Sequence, residues 1–281
     1  MKKLENLTRC PDSLRRCDAT LARRDEIPMR IILSPAKKMV CDPDAPNPQG
    51  LPPLLDRTQR LLEALQGMTP AQLQALWKCN DRIAAQNVER LRHMDLRRAL
   101  TPAVLAYDGI AYKCMAPQVF TGEEEAYVQE HLRILSGFYG ILRPRDGVTP
   151  YRLEMQAKLG VDGARDLYAF WGDAMAKYLA AETDTIVNLT SKEYALAVLP
   201  HLPPRVRVVT CVFGEVKGGK VIEKATLCKM ARGEMVRHMA QSRAACPEDM
   251  RSFDCYGFRY DAERSDDNTY VFIREGGKIH A

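Results

Sequence analysis

Two spacings of apolar residues alternate along the chain. Met29 leads into Arg30-Ile-Ile-Leu33, a short unbroken apolar run that reads as a buried strand. Pro43, Pro46, Pro48, Pro52 and Pro53 then dictate an extended loop, because each lacks an N–H and fixes φ. Leu54, Leu55, Leu61, Leu62 and Leu65 make one helical stripe. Thr69-Pro70 reads as an N-cap with proline in the first turn of a helix through Trp77, and Asn80 or Asp81 opens another to about His93. Ala103–Tyr107 reads as a strand. Thr121-Gly-Glu-Glu-Glu125 starts a helix whose acids suit the positive end of its dipole, and this helix is expected to run into the segment that begins at His131. Asp166–Ala181 predicts one amphipathic helix, Thr185–Leu189 a strand, and Ser191–Val198 a helix. Arg205–Val216 and Lys220–Lys224 flank Lys217-Gly-Gly219 as a hairpin. A helix from Leu227 to about Ser242 follows, and Tyr256–Tyr260 with Thr269–Arg274 form a closing hairpin.

Strands that alternate with helices but include hairpins predict the α/β class of mixed α+β kind, a mixed β-sheet covered by helices. Residues 29–281 read as a single domain. Residues 1–28 show neither period and read as a poorly structured extension, with Met29 as the natural start. Of the 281 residues 46% are hydrophobic and 27% charged, which describes a soluble globular protein. No apolar run approaches the roughly 20 residues that span a bilayer, so no membrane partner is expected. Nine cysteines, an odd number without C-x-x-C spacing, argue against a disulfide framework and for a reducing cytoplasm. The five histidines are scattered, so no metal site is expected and no cofactor fingerprint is present. A net charge of +5 is too modest to imply a polyanionic partner by itself; clustering has to carry that.

The densest cluster is His131–Met155. Gly137 and Gly140 bracket Phe138-Tyr139, with Arg133, Arg143, Arg145 and Arg152 around them. Such a turn lets backbone N–H groups approach an anion, and arginines add forked donors. It is equally a tight turn between two packed elements. Two strand ends offer a second possibility. Arg30–Leu33 runs into Ser34-Pro-Ala-Lys37-Lys38, and Thr185–Val187 into Asn188-Leu-Thr-Ser191-Lys192. Open α/β sheets bind ligands just beyond such carboxyl ends, although an N-cap and solvated lysines explain the same residues. A third group holds Lys229 and Arg232 on one helical face, which reads as a wet face unless it meets the same cleft as Arg143 and Arg152. Familiar catalytic signatures are absent. Glu154, beside Arg152 and near Asp173 in sequence, is a candidate for an acid/base pair, although a structural Arg–Glu bridge explains it equally well; Lys192 is the other catalytic candidate.

Together these segments resemble a known family. Ile31-Ile-Leu-Ser-Pro-Ala-Lys37, Leu135-Ser-Gly-Phe-Tyr-Gly-Ile-Leu-Arg-Pro144, Pro150-Tyr-Arg-Leu-Glu-Met155, Leu167-Tyr-Ala-Phe-Trp-Gly-Asp173, Asn188-Leu-Thr-Ser-Lys-Glu-Tyr194 and Ala231-Arg-Gly-Glu-Met235 occur in the order found in the YaaA family of bacterial peroxide-stress proteins. The resemblance covers residues 29–275. It implies a single mixed α/β domain with a helix-hairpin-helix element, here Leu135–Ile141, and a positively charged cleft. It also implies binding to duplex or branched DNA with little sequence preference, during peroxide stress and linked to limiting free intracellular iron. Carried over residue by residue, the cleft is Lys37, Arg152, Asn188, Lys192, Lys229 and Arg232, joined by Gly137, Gly140, Arg143, Arg145 and Ser191 from the reading above. No protein partner can be inferred. The competing expectation is an enzyme acting on a nucleotide or small phosphorylated substrate in the same cleft; an iron-sequestering protein is disfavoured by the scattered His and Cys.

Overall fold

The computed structural model describes residues 27–275. The expected extension lies outside the described residues except for residues 27 and 28. The strands are β1 (Arg30–Leu33), β2 (Thr101–Pro102), β3 (Leu132–Ser136), β4 (Gly140–Leu142), β5 (Gly147–Val148), β6 (Thr185–Leu189), β7 (Arg207–Lys217), β8 (Lys220–Ile222), β9 (Asp254–Cys255), β10 (Phe258–Tyr260) and β11 (Thr269–Arg274). Nine of them, among the described residues, form one sheet in the order β4-β3-β1-β6-β7-β11-β10-β9, with β8 paired to β7. The pairs β3/β1, β1/β6, β6/β7 and β7/β11 are parallel, whereas β4, β8, β10 and β9 attach antiparallel. The fold is therefore mixed α/β. Ile31, Ile32 and Leu33 are fully buried, as an interior parallel strand covered on both faces requires. No helix among the described residues is long and apolar enough to cross a membrane.

Local signals set most boundaries. Thr69 and Gln72 form a reciprocal capping box ahead of helix Pro70–Trp77, Asn80 caps Asp81–Arg92, and Thr121 with Glu124 caps Gly122–His131. Three expectations differ. Ala103–Tyr107 is a short helix, Ala103–Ala106, because Pro102 holds φ at −52° and three of the next four residues, Ala103, Leu105 and Ala106, are good helix formers. The expected helix Asp166–Ala181 is two helices, Leu167–Trp171 and Ala174–Glu182, since Gly172 takes φ +50° and turns the chain. The helix beginning at Ser191 is only Lys192–Ala195.

The helix-hairpin-helix expected at Leu135–Ile141 is corrected to a β-hairpin, β3-turn-β4. Its apolar residues explain the difference: Leu132, Ile134, Leu135, Phe138, Tyr139, Ile141 and Leu142 have no exposed surface. A short continuous buried run of this kind pairs as strands into the sheet rather than leaving a helix on the surface. Ser136 Oγ closes the turn by accepting the N–H groups of Phe138 (3.1 Å) and Tyr139 (2.8 Å).

Beside this hairpin, Asp146 is 3% exposed, and burial pushes its carboxyl up to about 6, opposed by the Arg143 N–H that it accepts. A raised carboxyl favours the native state in its protonated form. Its charged form therefore costs stability above pH 6, by about 3 kcal/mol for two pH units, and this cost disappears below pH 4. Asp146→Asn keeps an acceptor for the Arg143 N–H. Urea unfolding should find it more stable than the parent at pH 7, by about 1–3 kcal/mol, and equal at pH 4. An equal gap at both pH values would refute the assignment.

Candidate functional site

Sheet order places the carboxyl ends of β1 and β6 side by side. From β1 the chain moves to β3 on one flank, then returns to β6, β7 and β11 on the other. Such a reversal leaves a crevice beyond the strand ends. Here the crevice is a cleft of about 520 Å³, within the range of small-molecule sites. Ser34 joins its two lips. Its Oγ accepts the Ser191 N–H at 2.9 Å, while the Tyr112 hydroxyl donates to its carbonyl at 3.0 Å.

Charge reaches the cleft from four segments. Lys37 and Lys38 follow β1, Arg152 and Glu154 stand on the loop after β5, Glu193 follows β6, and Lys229 and Arg232 come from helix Ala225–Ser242. With Asp108 this makes five cations against three carboxylates, so an anion is favoured over a cation. Glu154 sits between Lys37, 2.7 Å away, and Arg152, 3.7 Å away. Lys38 and Lys113 pair with Asp108, and the Lys38 hydrogen bond holds that carboxyl below the usual range. Burial raises the Glu193 carboxyl, the Glu154 charge adds to this, and the Gln156 N–H it accepts opposes it. Arg232 contacts Glu223 at 3.7 Å, whereas Lys229 pairs with no carboxylate among the described residues. The Nε atoms of both Arg152 and Arg232 are buried without a hydrogen-bond partner. Among the described residues four side-chain donors are buried in this way; Trp77 Nε1 and Arg145 Nε lie away from the cleft, and the two on it, from Arg152 and Arg232, are donors that a ligand acceptor would satisfy.

Of the residues expected at the site, Lys37, Arg152, Ser191, Lys229 and Arg232 meet here, with Glu154. The others do not line the cleft. Gly137 and Gly140 are buried in the hairpin. A Cβ on Gly137 would stand 2.6 Å from the Leu153 carbonyl oxygen, so this glycine serves close packing of backbone on backbone and not approach of an anion. Arg143 donates to the Tyr178 hydroxyl at 3.0 Å and approaches Glu182; Arg145 pairs with Glu125 at 3.1 Å. Asn188 is 3% exposed and spends its amide on Thr190 and Thr210, which shapes the end of β6. Lys192 is exposed and does not line the cleft. Asp173 pairs with Lys177 at 2.8 Å, so the expected Glu154–Asp173 couple is not formed at the cleft.

Sequence reasoning placed Lys38 at the end of the first strand without carrying it into the cleft, and it missed Asp108, Glu193, Tyr112, Tyr151 and Tyr194. A signal existed for Tyr194. It lies three residues from Ser191 in a helical turn and so shares its face, which excludes Lys192. Asp108 and Tyr112 carry no local sign, because the helix Ile110–Met115 reaches the cleft only by packing against Ala225–Ser242, where Gly233 meets Ala111.

Comparison with known proteins identifies the family. Residues 29–264 match a family profile described as "Peroxide stress protein YaaA". A UPF0246 protein of Agathobacter rectalis is 49% identical over 247 residues, 88% of this chain and 99% of that protein. Counterparts from Lachnoclostridium phytofermentans and Pediococcus pentosaceus are 50% and 48% identical over 246 residues, 88% of this chain and 96% and 98% of theirs. The chain belongs to the peroxide stress protein YaaA family.

Proposed function

We propose that the protein binds DNA during peroxide stress, holding phosphate-bearing nucleotides at the cleft between the ends of β1 and β6. The observation that carries this reading is the convergence of Lys37, Lys38, Arg152, Lys229 and Arg232 from distant segments, two of them with unfilled buried donors. Lys37 and Lys38 are largely exposed at the rim and reach a strand passing over it; Arg152 and Arg232 are mostly buried and face whatever enters. Contacts to phosphate give affinity without base readout, in keeping with little sequence preference. Limitation of free iron belongs to the same proposal as a cellular consequence, and the bound iron of the purified protein is measured alongside.

A second reading has its own support. The cleft volume matches a single nucleotide better than a duplex groove, and Glu154 with Glu193 puts two carboxylates in it. This favours a free nucleotide or other small phosphorylated substrate. Binding of duplex, junction and single-stranded DNA across a salt series separates the two. Under the DNA reading, log affinity falls linearly with log salt, and Lys229→Ala lowers the slope by roughly 0.7–0.9, the share of the single phosphate that its ammonium neutralises. A flat salt response, together with saturable binding of a mononucleotide, would replace it with the second reading.

A further inference from the structure

Beneath the cleft runs a chain of buried hydroxyl groups whose hydrogens can be assigned by counting. Ser136 Oγ accepts two backbone N–H groups, those of Phe138 and Tyr139. A serine hydroxyl has two lone pairs and one hydrogen. With both lone pairs occupied, the hydrogen goes to the remaining neighbour, Tyr151 Oη at 2.7 Å. Tyr151 Oη also lies 2.9 Å from Tyr107 Oη. One hydrogen fills that contact, and one is left over.

If Tyr151 supplied the shared hydrogen, the spare one would sit on Tyr107. Tyr107 is 3% exposed, does not line the cleft, and its hydroxyl has no second partner among the described residues. A donor stranded there would lose its hydration with nothing in return. If Tyr107 supplies the shared hydrogen, the spare one belongs to Tyr151, which lines the cleft beside Arg152. The geometry points to Tyr151 as a ligand-binding donor: its oxygen accepts from Ser136 and Tyr107, and its hydrogen goes to an acceptor oxygen of the nucleotide in the cleft. The inference rests on the proposed occupancy of that cleft by a phosphate-bearing nucleotide.

Two hydrogen bonds accepted by one phenolic oxygen draw charge onto it and strengthen the hydrogen it donates. Burial pushes the Tyr151 hydroxyl up to about 12 while the bonds from Ser136 and Tyr107 pull it down, so it stays protonated through the physiological range. The acceptor is a nucleotide oxygen with a free lone pair, on the phosphate, the sugar or the base. Ser136 and Tyr107 are positioning residues for this donor.

The test measures binding of inorganic phosphate, a deoxynucleoside monophosphate and a single-stranded oligonucleotide to the full chain, to Tyr151→Phe and to Tyr107→Phe, with thermal melting of each. Tyr151→Phe should weaken nucleotide binding about tenfold, the loss of one good hydrogen bond. Tyr107→Phe removes one of the two bonds to the Tyr151 oxygen and should weaken it by a smaller factor. A parallel loss for inorganic phosphate assigns the acceptor to a phosphate oxygen; a loss confined to the nucleotide assigns it to the sugar or the base. Tyr151→Phe at parental affinity overturns the inference. So does tighter binding by Tyr107→Phe, because that variant would then have released a hydrogen that Tyr151 was giving to Tyr107. A parent chain that binds none of the three probes overturns the nucleotide reading and the inference with it. Should Tyr151→Phe fail to fold, the parent answers by proton NMR: the Tyr151 hydroxyl resonance moves when the deoxynucleoside monophosphate is added, and an unmoved resonance overturns the inference.

Discussion

Gly233→Ala will destabilise the protein by about 3 kcal/mol or more, although a glycine-to-alanine change inside a helix ordinarily gains up to about 1 kcal/mol. Gly233 lies within helix Ala225–Ser242, where its missing side chain lets the helix touch the backbone of Ile110–Met115. A Cβ would stand 1.9 Å from the Ala111 carbonyl oxygen and 2.7 Å from its carbon. Backbone cannot step aside as a flexible side chain does, so the two helices must separate. Lys229 and Arg232 stand on the helix that moves, and Asp108 and Tyr112 stand on or beside the other. The same variant should therefore lose affinity for nucleic acid as well as stability. Urea denaturation checks the first effect and a binding isotherm on the folded variant the second. A midpoint at or above that of the parent would show that the two backbones are not closely packed.

Glu182→Ala is the other large loss, about 3–5 kcal/mol, the usual consequence of removing one partner from a buried charge network. Glu182 ends helix Ala174–Glu182 and accepts from Arg30 Nε at 3.2 Å and Arg133 Nε at 2.7 Å. These arginines belong to adjacent strands, β1 and β3, and are 6% and 3% exposed. Without the carboxylate, two buried guanidinium groups face each other, with Arg30 keeping only Glu130. Burial works against the Glu182 charge, yet Arg133 and Arg30 outweigh it and hold the carboxyl below its ordinary value. A depressed carboxyl contributes fully above the unfolded value near pH 4.3 and is lost as acid titrates the native state. The gap between parent and Glu182→Ala should thus narrow toward pH 3, opposite in direction to the Asp146 effect. Glu182→Gln, which keeps an acceptor, should lose less. A gap independent of pH would place the energy in packing and not in the charges.

This network shows why the arginine-rich segment misleads when read as a sequence. Arg133, Arg143 and Arg145 stand near Gly137 and Gly140 along the chain, and that neighbourhood suggests an anion cradle. The carboxylates that claim them, Glu182 and Glu125, come from other helices and have no local signature. The strand ends were legible for a general reason. Apolar runs such as Ile31-Ile-Leu33 identify interior strands, and ligands gather beyond their carboxyl ends whatever the family. Lys37 and Ser191 follow from that rule alone. Lys229 and Arg232 share a face by helical periodicity, but which way the face points depends on Gly233 against Ala111. The ordering of the hydroxyls of Ser136, Tyr151 and Tyr107 was beyond reach, since it depends on distances across 15 and 44 residues of chain.

The measurement that bears most directly on the account compares two double variants in one salt series with the same single-stranded and duplex oligonucleotides. Lys229→Ala with Arg232→Ala removes two cations from the cleft; Arg143→Ala with Arg145→Ala removes two from the hairpin region outside it. The account predicts that the first pair lowers the log–log salt slope by about 1.4–1.8 and weakens binding, while the second leaves the slope at the parental value. The reverse pattern, or equal losses from both pairs, would mean that phosphates are met across a broad basic surface and not at the cleft.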